Sequence, residues 1–268
     1  DNVLLPFNYE KTGKYYSTFG AFAEYGIVGD IQALRDNRIN EGDPFSDESY
    51  YAQQKLDKDI DPISGCMIVT FREVYAAIKS LGFNGGDSVI IFGAGTVGLS
   101  FIKLCKLVGL TVISIEIEDE KKEQALQMGA DYAFNSRKCE IKKEIRKVLH
   151  NGADYVVDAA GVPNIMNIGL DLIKYDGKIC VYGISSQQNV KLNWTNAPYN
   201  WTLQFIQWPY KKNEAAAHDN IINWIKDGDI ICEEFISDVF SFNSSIEAIE
   251  QFEKGNTMKK VVIDFTNN

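Results

Sequence analysis

Short apolar runs alternate with longer amphipathic stretches through the centre of the chain. Residues 88–92 and 110–115 are largely apolar, which is typical of strands buried on both faces of a parallel sheet. Between them, residues 99–108 space their apolar side chains as a helix packed on a sheet does. Six strands with crossover helices are expected, which indicates an α/β fold with a doubly wound parallel sheet. The remaining elements predicted by this alternation are a helix over 119–128, a strand over 132–134, a helix over 140–149, a strand over 155–158, a helix over 164–173, a strand over 178–182 and a last strand within 203–206.

The flanks do not continue this alternation. Residues 1–64 predict short β segments and turns, including 3–7 and 21–28. Residues 41–61 are acidic and poor in apolar side chains, which favours an exposed loop or a short helix. The C-terminal flank predicts a helix over 214–226, a strand over 230–240, a helix over 244–254 and a final strand over 260–265.

A glycine-rich turn joins the first central strand to its helix. Gly93, Gly95 and Gly98 have the spacing of turns that hold the diphosphate of a dinucleotide. Gly93 would allow the tight turn, Gly95 would let the pyrophosphate approach the backbone, and Gly98 would let the helix pack close to the strand. The diphosphate would rest on the free amides and the positive dipole end of the helix, beside Thr96 and Val97. Many glycine turns are purely structural, but strand, turn, helix and strand in this order predict cofactor binding.

Glu116 ends the second central strand and indicates which cofactor is bound. A carboxylate at this place can accept hydrogen bonds from both ribose hydroxyls of NAD, and it would repel the 2′-phosphate of NADP. The alternative is a solvated acid at a strand end, since residues 118–120 are also acidic. Glu116 is preferred because it alternates with Ile115 and Ile117 at the strand edge. The sequence therefore predicts NAD rather than NADP.

Composition narrows the classes of partner and compartment. A net charge of -10 argues against nucleic acid or an anionic membrane, and the basic residues within 142–147 alternate with glutamate as on a solvated, ion-paired helix face. No apolar run has membrane-spanning length, and no signal-peptide pattern opens the chain, so a cytoplasmic protein is expected. The five cysteines lack paired spacing and form no four-cysteine zinc cluster; Cys105 and Cys180 are expected to be buried thiols.

Several segments, in order, resemble the medium-chain dehydrogenases, a family that includes zinc alcohol and polyol dehydrogenases. The resemblance covers nearly the whole chain, and its specificity comes from the order and spacing of modest motifs. The segments that carry it are residues 1–6 (DNVLLP), 20–25 (GAFAEY), 66–76, 124–131 (QALQMGAD), 158–161 (DAAG), 176–178 (DGK) and 260–263 (KVVI).

The resemblance implies a Rossmann dinucleotide-binding domain over 68–210, inserted in a partial GroES-like, β-rich catalytic lobe formed by 1–67 and 211–268. It places Thr70 where a nicotinamide contact is expected and Ala160 in a turn beside the cofactor. Lys260 stands where a basic residue reaches the pyrophosphate, although Lys259 and Lys260 could instead charge an edge strand. Lys121 could flank the adenine ribose or be a solvated helix lysine.

The family's zinc site is incomplete in this sequence. Cys66 stands at the position of the third zinc ligand, and its alternative is a core cysteine before a helix. The first two ligand positions would lie upstream of Asp1. His150 and His218 are expected to be surface or structural histidines, His150 at a helix C-terminus. One thiolate without partners cannot hold zinc. We therefore expect a piece of a longer protein that lacks about 80 residues of the catalytic lobe; a natural deletion is the alternative.

The segment 194–208 contains three of the four tryptophans and comes where family members pair edge strands across a dimer axis. Aromatic enrichment suits an interface, a lid over the cleft or plain core. A homodimer is the preferred interpretation.

Three functional hypotheses follow. The first is an NAD-dependent alcohol or polyol dehydrogenase that acts on a small molecule and is zinc-assisted in the intact protein. The second is a non-catalytic NAD-binding module that serves as a sensor or subunit. The third is a zinc-free reductase of the same family, which usually prefers NADPH; Glu116 counts against it.

Overall fold

The computed structural model describes residues 3–4, 10–12, 15–17, 51, 53–187, 189–255 and 257–266. The chain divides into two compact units, Ala77–Trp208 and the pair of segments Asp1–Ala76 and Pro209–Asn268. The sequence predicted domain boundaries at 67/68 and 210/211. They remain a prediction, since the division into compact units describes contacts and not domains. The N-terminal part of the predicted GroES-like lobe, residues 1–67, falls largely on residues outside the described part, including the expected strand over 21–28 and most of the acidic stretch 41–61.

The elements follow one another in a simple order along the chain. The strands are β1 Val3–Leu4, β2 Glu10–Thr12, β3 Tyr15–Ser17, β4 Gln54–Lys55, β5 Ser88–Phe92, β6 Thr111–Glu116, β7 Tyr132–Asn135, β8 Ala153–Asp158, β9 Ile173–Val181, β10 Trp201–Phe205, β11 Ile236–Ser241 and β12 Lys260–Asp264. The helices are α1 Pro62–Leu81, α2 Thr96–Val108, α3 Asp119–Gln127, α4 Ile141–Val148, α5 Asn164–Leu170, α6 Lys211–Lys226 and α7 Ser245–Glu253.

The central unit is built on one parallel sheet of six strands in the order β10-β9-β8-β5-β6-β7. The chain runs outward from β5 through β6 to β7, then returns to the other side of β5 and runs outward again. Strand order therefore reverses between β5 and β8, and ligands of such sheets bind at the carboxyl ends of the strands at this reversal. The predicted doubly wound α/β sheet is confirmed.

Burial explains why the central strands could be recognised in the sequence. All five residues of β5 are buried, and Ile90 pairs with Ile113 of β6 and Val156 of β8. These three side chains are fully buried in one apolar cluster. Because β5 is buried on both faces, it is a continuous apolar run.

Within the central unit, differences from the predicted bounds are marked at strand β9 and the helix before it. Strand β9 begins at Ile173, whereas the sequence predicted residue 178, and helix α5 ends at Leu170 rather than 173. Asp176 has a positive φ of 60°, and the pairing register with β8 shifts between Ala153 and Tyr155. An irregular, partly exposed start therefore breaks the apolar pattern by which a strand is recognised.

The described residues of the second unit form three small ladders. Strands β1 and β4 pair antiparallel, as do β2 and β3, whereas β11 and β12 pair parallel. The rings of Phe71 and Phe235 meet edge to face with centroids 4.8 Å apart. The predicted strand over 230–240 is wrong in its first half, because residues Cys232–Phe235 form a short 3₁₀ turn. This turn puts Cys232 and Phe235, both buried, on one face.

None of the helices in the described part of the chain is long and apolar enough to cross a membrane.

Candidate functional site

Two of the three glycines within residues 93–98 are required by the fold itself. Gly93 has φ +96°, a left-handed conformation that favours glycine. A Cβ at Gly98 would lie 1.8 Å from the carbonyl oxygen of Gly93. The Gly93 amide donates to the carbonyl of Ile115 at 3.0 Å, which ties the start of the turn to β6. The roles predicted for Gly93 and Gly98 therefore match their local geometry.

Gly95 differs from these two, because nothing in the described fold requires a glycine there. It has φ -71°, which any residue adopts, and a Cβ at this position would meet no atom within 4 Å. Gly95 is exposed, and Thr96 and Val97 are half-buried at the start of the helix. The backbone at Gly95 thus borders open space where another group can approach.

The N-terminus of α2 offers amides to that space. Its N-cap is Gly95, no side chain in the described residues caps it, and its first turn carries no acid. The first amides of a helix lack partners within the helix. Together with the helix dipole they form an anion-binding arrangement.

Glu116 is buried at the carboxyl end of β6. Its carboxylate accepts the amide N–H of Ala94, within the glycine turn, and that of Ile117 at 3.1 Å. The acids that follow are placed differently. Glu118 is half-exposed and pairs with Lys121, and Asp119 pairs with the exposed Lys138. Burial and contact with the turn separate Glu116 from its acidic neighbours, as its alternation in the sequence suggested.

Lys121 lies on the first turn of α3, and its ammonium is 3.5 Å from a Glu118 carboxylate oxygen. This contact fits a partly exposed helix lysine and leaves both sequence interpretations of Lys121 open.

The turn after β8 lies against the glycine turn. Ala160 is exposed, and its Cβ would be 3.1 Å from a Cβ placed on Gly93. Asp158, which is almost fully buried, accepts the amides of Ala160 at 3.0 Å and Gly161 at 2.8 Å. Burial raises the pKa of Asp158, and these backbone hydrogen bonds oppose that rise. The structure thus brings Ala160 to the glycine turn and gives Asp158 the role of holding the second turn.

A cavity of about 300 Å³ opens at the carboxyl ends of β8, β9 and β10, and sequence reasoning did not find it. Ile184 and Phe205 bring exposed apolar surface to its lining. The Gln207 side-chain amide donates to the Gly183 carbonyl at 2.8 Å and ties the ends of β9 and β10 together. A Cβ at Gly183 would lie 2.2 Å from the Gly161 amide nitrogen. The available signal was Gly183, a glycine directly after an apolar strand, as Gly93 is after β5.

Cys66, Thr70 and Lys260 lie in the other unit and are neighbours there. Thr70 is buried, and the Lys260 ammonium donates to its hydroxyl at 3.2 Å. Cys66 is exposed one turn before Thr70 on α1 and donates weakly to the Pro62 carbonyl at 3.5 Å. Partial desolvation raises the pKa of the Cys66 thiol, and Lys260 opposes this. The interpretation of Cys66 as a core cysteine is wrong, because its residue is exposed. Cys105 and Cys180 are buried, as predicted.

The donors in the described residues do not fit a zinc site. Nowhere in that part of the chain do three or more His, Cys, Asp or Glu side chains form a group able to hold a metal ion. His150 is exposed. His218 is half-buried on α6, and desolvation lowers its pKa. Both histidines match the structural interpretation given to them.

The aromatic segment 194–208 is largely exposed. Trp201 alone of its tryptophans packs against the apolar cluster of the sheet. Trp194, Tyr199, Phe205 and Trp208 are all exposed, which rules out the plain-core interpretation for these four.

The chain is similar in sequence to known dehydrogenases. Residues 96–207 match the model of a family described as zinc-binding dehydrogenase. A sorbitol dehydrogenase from Halalkalibacterium halodurans is 27% identical over 197 residues, which are 72% of this chain and 57% of that protein. An alcohol dehydrogenase from Geobacillus stearothermophilus is 26% identical, over 69% of this chain and 54% of its own. The chain thus spans little more than half the length of these relatives.

Solved structures show the same fold. An alcohol dehydrogenase from Thermus sp. ATN1 superposes with a TM-score of 0.72 at 19% identity, over 81% of this chain and 62% of its own. A 2R,3R-butanediol dehydrogenase from Bacillus subtilis superposes with a TM-score of 0.72 at 18% identity. The superposition covers 80% of this chain and 61% of that protein.

Proposed function

We propose that the chain is a member of the medium-chain dehydrogenase family and that it binds NAD as the hydride acceptor for oxidation of a small alcohol or polyol. The substrate class follows from what the relatives are called, sorbitol and alcohol dehydrogenases, and from no feature of this chain. NAD binding follows from the glycine turn.

The open backbone at Gly95 is the observation that carries the proposal. The fold needs Gly93 for its φ and Gly98 for close packing, whereas a Cβ at Gly95 would enter empty space. A glycine without an internal reason is explained by a ligand that approaches the backbone there. The amides of Thr96 and Val97 at the start of α2 would hold that ligand's diphosphate.

Glu116 supports NAD over NADP. Its buried carboxylate stands beside the turn, where the adenine ribose of a dinucleotide would lie. A 2′-phosphate would bring about two further negative charges against it without water to screen them. The same argument disfavours the NADPH-dependent reductase.

The second half of the sheet supplies the rest of the site. In a doubly wound sheet each half binds one mononucleotide, so the cavity at β8–β10 would receive the nicotinamide half. Its apolar lining, including Ile184 and Phe205, would exclude water from the ring. When bound, NAD supplies the chemistry of hydride acceptance. We further propose that Thr70 contacts the nicotinamide and Lys260 the diphosphate, as the family resemblance implies.

The described residues do not complete a zinc site. Cys66 offers one thiol, and the described residues add no partners for it, whereas a catalytic zinc needs three protein ligands. Zinc assistance is proposed only for a protein that supplies the other two.

The test is a calorimetric titration with NAD and with NADP, on the wild type and on Gly95→Ala. We expect NAD to bind, NADP to bind at least tenfold more weakly, and Gly95→Ala to lose at least tenfold in NAD affinity while its thermal unfolding stays unchanged. Equal NAD binding by wild type and Gly95→Ala would refute the diphosphate site. Binding of NAD without turnover of sorbitol or simple alcohols would favour the non-catalytic module.

A further inference from the structure

We infer that Glu116 is a positioning residue for the glycine turn itself: its carboxylate fastens the Ala94 amide before any cofactor binds. The inference deepens the proposed function and rests on it only for the identity of the ligand. The contact between Glu116 and Ala94 belongs to the ligand-free protein.

The bond continues the pairing of two strands beyond their ends. The last backbone hydrogen bond between β5 and β6 in this direction runs from the Gly93 amide to the Ile115 carbonyl at 3.0 Å. One residue further along both chains, the Ala94 amide donates to the Glu116 carboxylate. A side-chain oxygen from the end of β6 thus holds the amide that follows Gly93, at the point where the backbone turns toward α2.

Because Ala94 is buried, its amide needs this hydrogen-bond partner. Ala94 is fully buried, and a buried amide without a partner costs free energy comparable to a lost hydrogen bond. The α2 helix begins at Thr96, so the helix provides no carbonyl for the Ala94 amide. The Glu116 carboxylate satisfies it and so fixes the backbone immediately before Gly95, where the diphosphate would approach.

Two hydrogen bonds, one from Ala94 and one from Ile117, orient the Glu116 carboxylate. One oxygen accepts from Ala94, and the other accepts from Ile117 at 3.1 Å. An ionised carboxylate has about four acceptor positions, so about two remain for the hydroxyls of a ribose. Ribose recognition and the shape of the turn are therefore coupled through one side chain, and both are set in advance.

Two substitutions separate length from charge. Glu116→Asp keeps the negative charge but withdraws it by one methylene from the Ala94 amide. Glu116→Gln keeps the length and one acceptor oxygen, so it can hold Ala94, but it loses the charge that opposes a 2′-phosphate. Glu118→Asp is the matched control, since Glu118 is half-exposed and pairs with Lys121 outside the turn.

The experiment measures hydrogen exchange of the Ala94 amide in the ligand-free protein, by NMR, with the buried Ile90 amide of β5 as the reporter of global opening. We expect Glu116→Asp to speed exchange at Ala94 about tenfold, with Ile90 unchanged. Glu116→Gln should stay within about threefold of wild type at Ala94 and should narrow the preference for NAD over NADP. Glu118→Asp should change neither amide.

Unchanged exchange at Ala94 in Glu116→Asp would overturn the inference. If hydrogen exchange at the Ile90 amide is also faster in Glu116→Asp, the variant has lost global stability and Glu116→Gln becomes the test. Protection of the Ala94 amide that is retained in Glu116→Gln supports the inference, and loss of that protection contradicts it. The exchange measurement needs no ligand, so an Ala94 response in a protein that binds no NAD would refute the proposed cofactor and leave the positioning role in place.

Discussion

The ammonium of Lys260 donates a 3.2 Å hydrogen bond to the hydroxyl of Thr70, across 190 residues of sequence. The two were predicted separately, one from the closing strand and one from the first long helix. The contact places Lys260 beside the residue that is proposed to touch the nicotinamide. The adjacent Lys259 carries the same charge and is therefore a control for the role of Lys260.

We expect Lys260→Met to weaken NAD binding about tenfold, because a charge-assisted contact to the diphosphate would be lost. Lys259→Met should leave the affinity within about twofold. Titration calorimetry at low salt measures both. Equal, small effects would mean that the two lysines only charge the edge of β12.

Gly98→Ala should destabilise the fold, because its Cβ would meet the Gly93 carbonyl oxygen at 1.8 Å, which is backbone and cannot swing away. We expect a loss of about 3 kcal/mol or more in the free energy of unfolding. Urea denaturation measures it, with Gly95→Ala as the control that should lose nothing. A fully stable Gly98→Ala would show that the helix can shift away from the strand at little cost.

Buried charge on α6 should make stability depend on pH. Burial raises the pKa of Glu214 to about 7, and Lys211, whose ammonium is 2.8 Å from its carboxylate, opposes the rise. Glu73 raises the pKa of Glu214 further, and Arg72 lowers it; the pKa of the half-buried His218 on the same helix is lowered by desolvation.

The folded protein therefore holds a proton on Glu214 that the unfolded chain releases near its usual value of about 4.3. The stability from this group is present below that pH and is lost as pH rises toward 7. We expect the free energy of unfolding of wild type minus that of Glu214→Gln to fall by on the order of 2 kcal/mol between pH 5 and pH 8. His218 is present in both proteins, so its opposite titration largely cancels. A difference that rises with pH would contradict the raised pKa.

The exposed aromatic segment should form a dimer interface. Strand β10 is an edge of the described sheet, and Phe205 is exposed at its end. Light scattering at micromolar concentration should give about twice the chain mass of 30.1 kDa. Tyr199→Glu, at a fully exposed side chain just before β10, should shift the mass toward one chain, and Ile246→Glu, at an exposed apolar residue on α7, should not. A monomeric wild type would remove the dimer.

The central sheet can be predicted well from the sequence, because the burial of its strands and the backbone conformation of its turns leave a pattern in short stretches of residues. Strand β5 is buried along its whole length, so it appears as an unbroken apolar run, and the turn after it needs glycine at Gly93 for backbone reasons. Strand β9 begins earlier than predicted because Asp176 interrupts its pattern with a positive φ. Such irregularities depend on the neighbouring strand and leave no periodic signal.

Groups assembled from distant segments were not predictable in the same way. Arg72 is fully buried and donates to the Glu214 carbonyl at 3.1 Å. Each residue alone has the pattern of a solvated charge on an amphipathic helix. The cavity at β8–β10 was missed for the same reason, because three strand ends and the loops after them form it only when the sheet is complete.

The cavity also gives the proposed cofactor a thermodynamic signature. Ile184 is 74% exposed and Phe205 is 55% exposed. A nicotinamide ring that covers them removes apolar surface from water, which gives a negative heat-capacity change on binding. ADP-ribose has the same diphosphate and ribose contacts but no ring to cover these side chains. The temperature dependence of the binding enthalpy should therefore be steeper for NAD than for ADP-ribose, and the difference measures how far the second half of the sheet takes part.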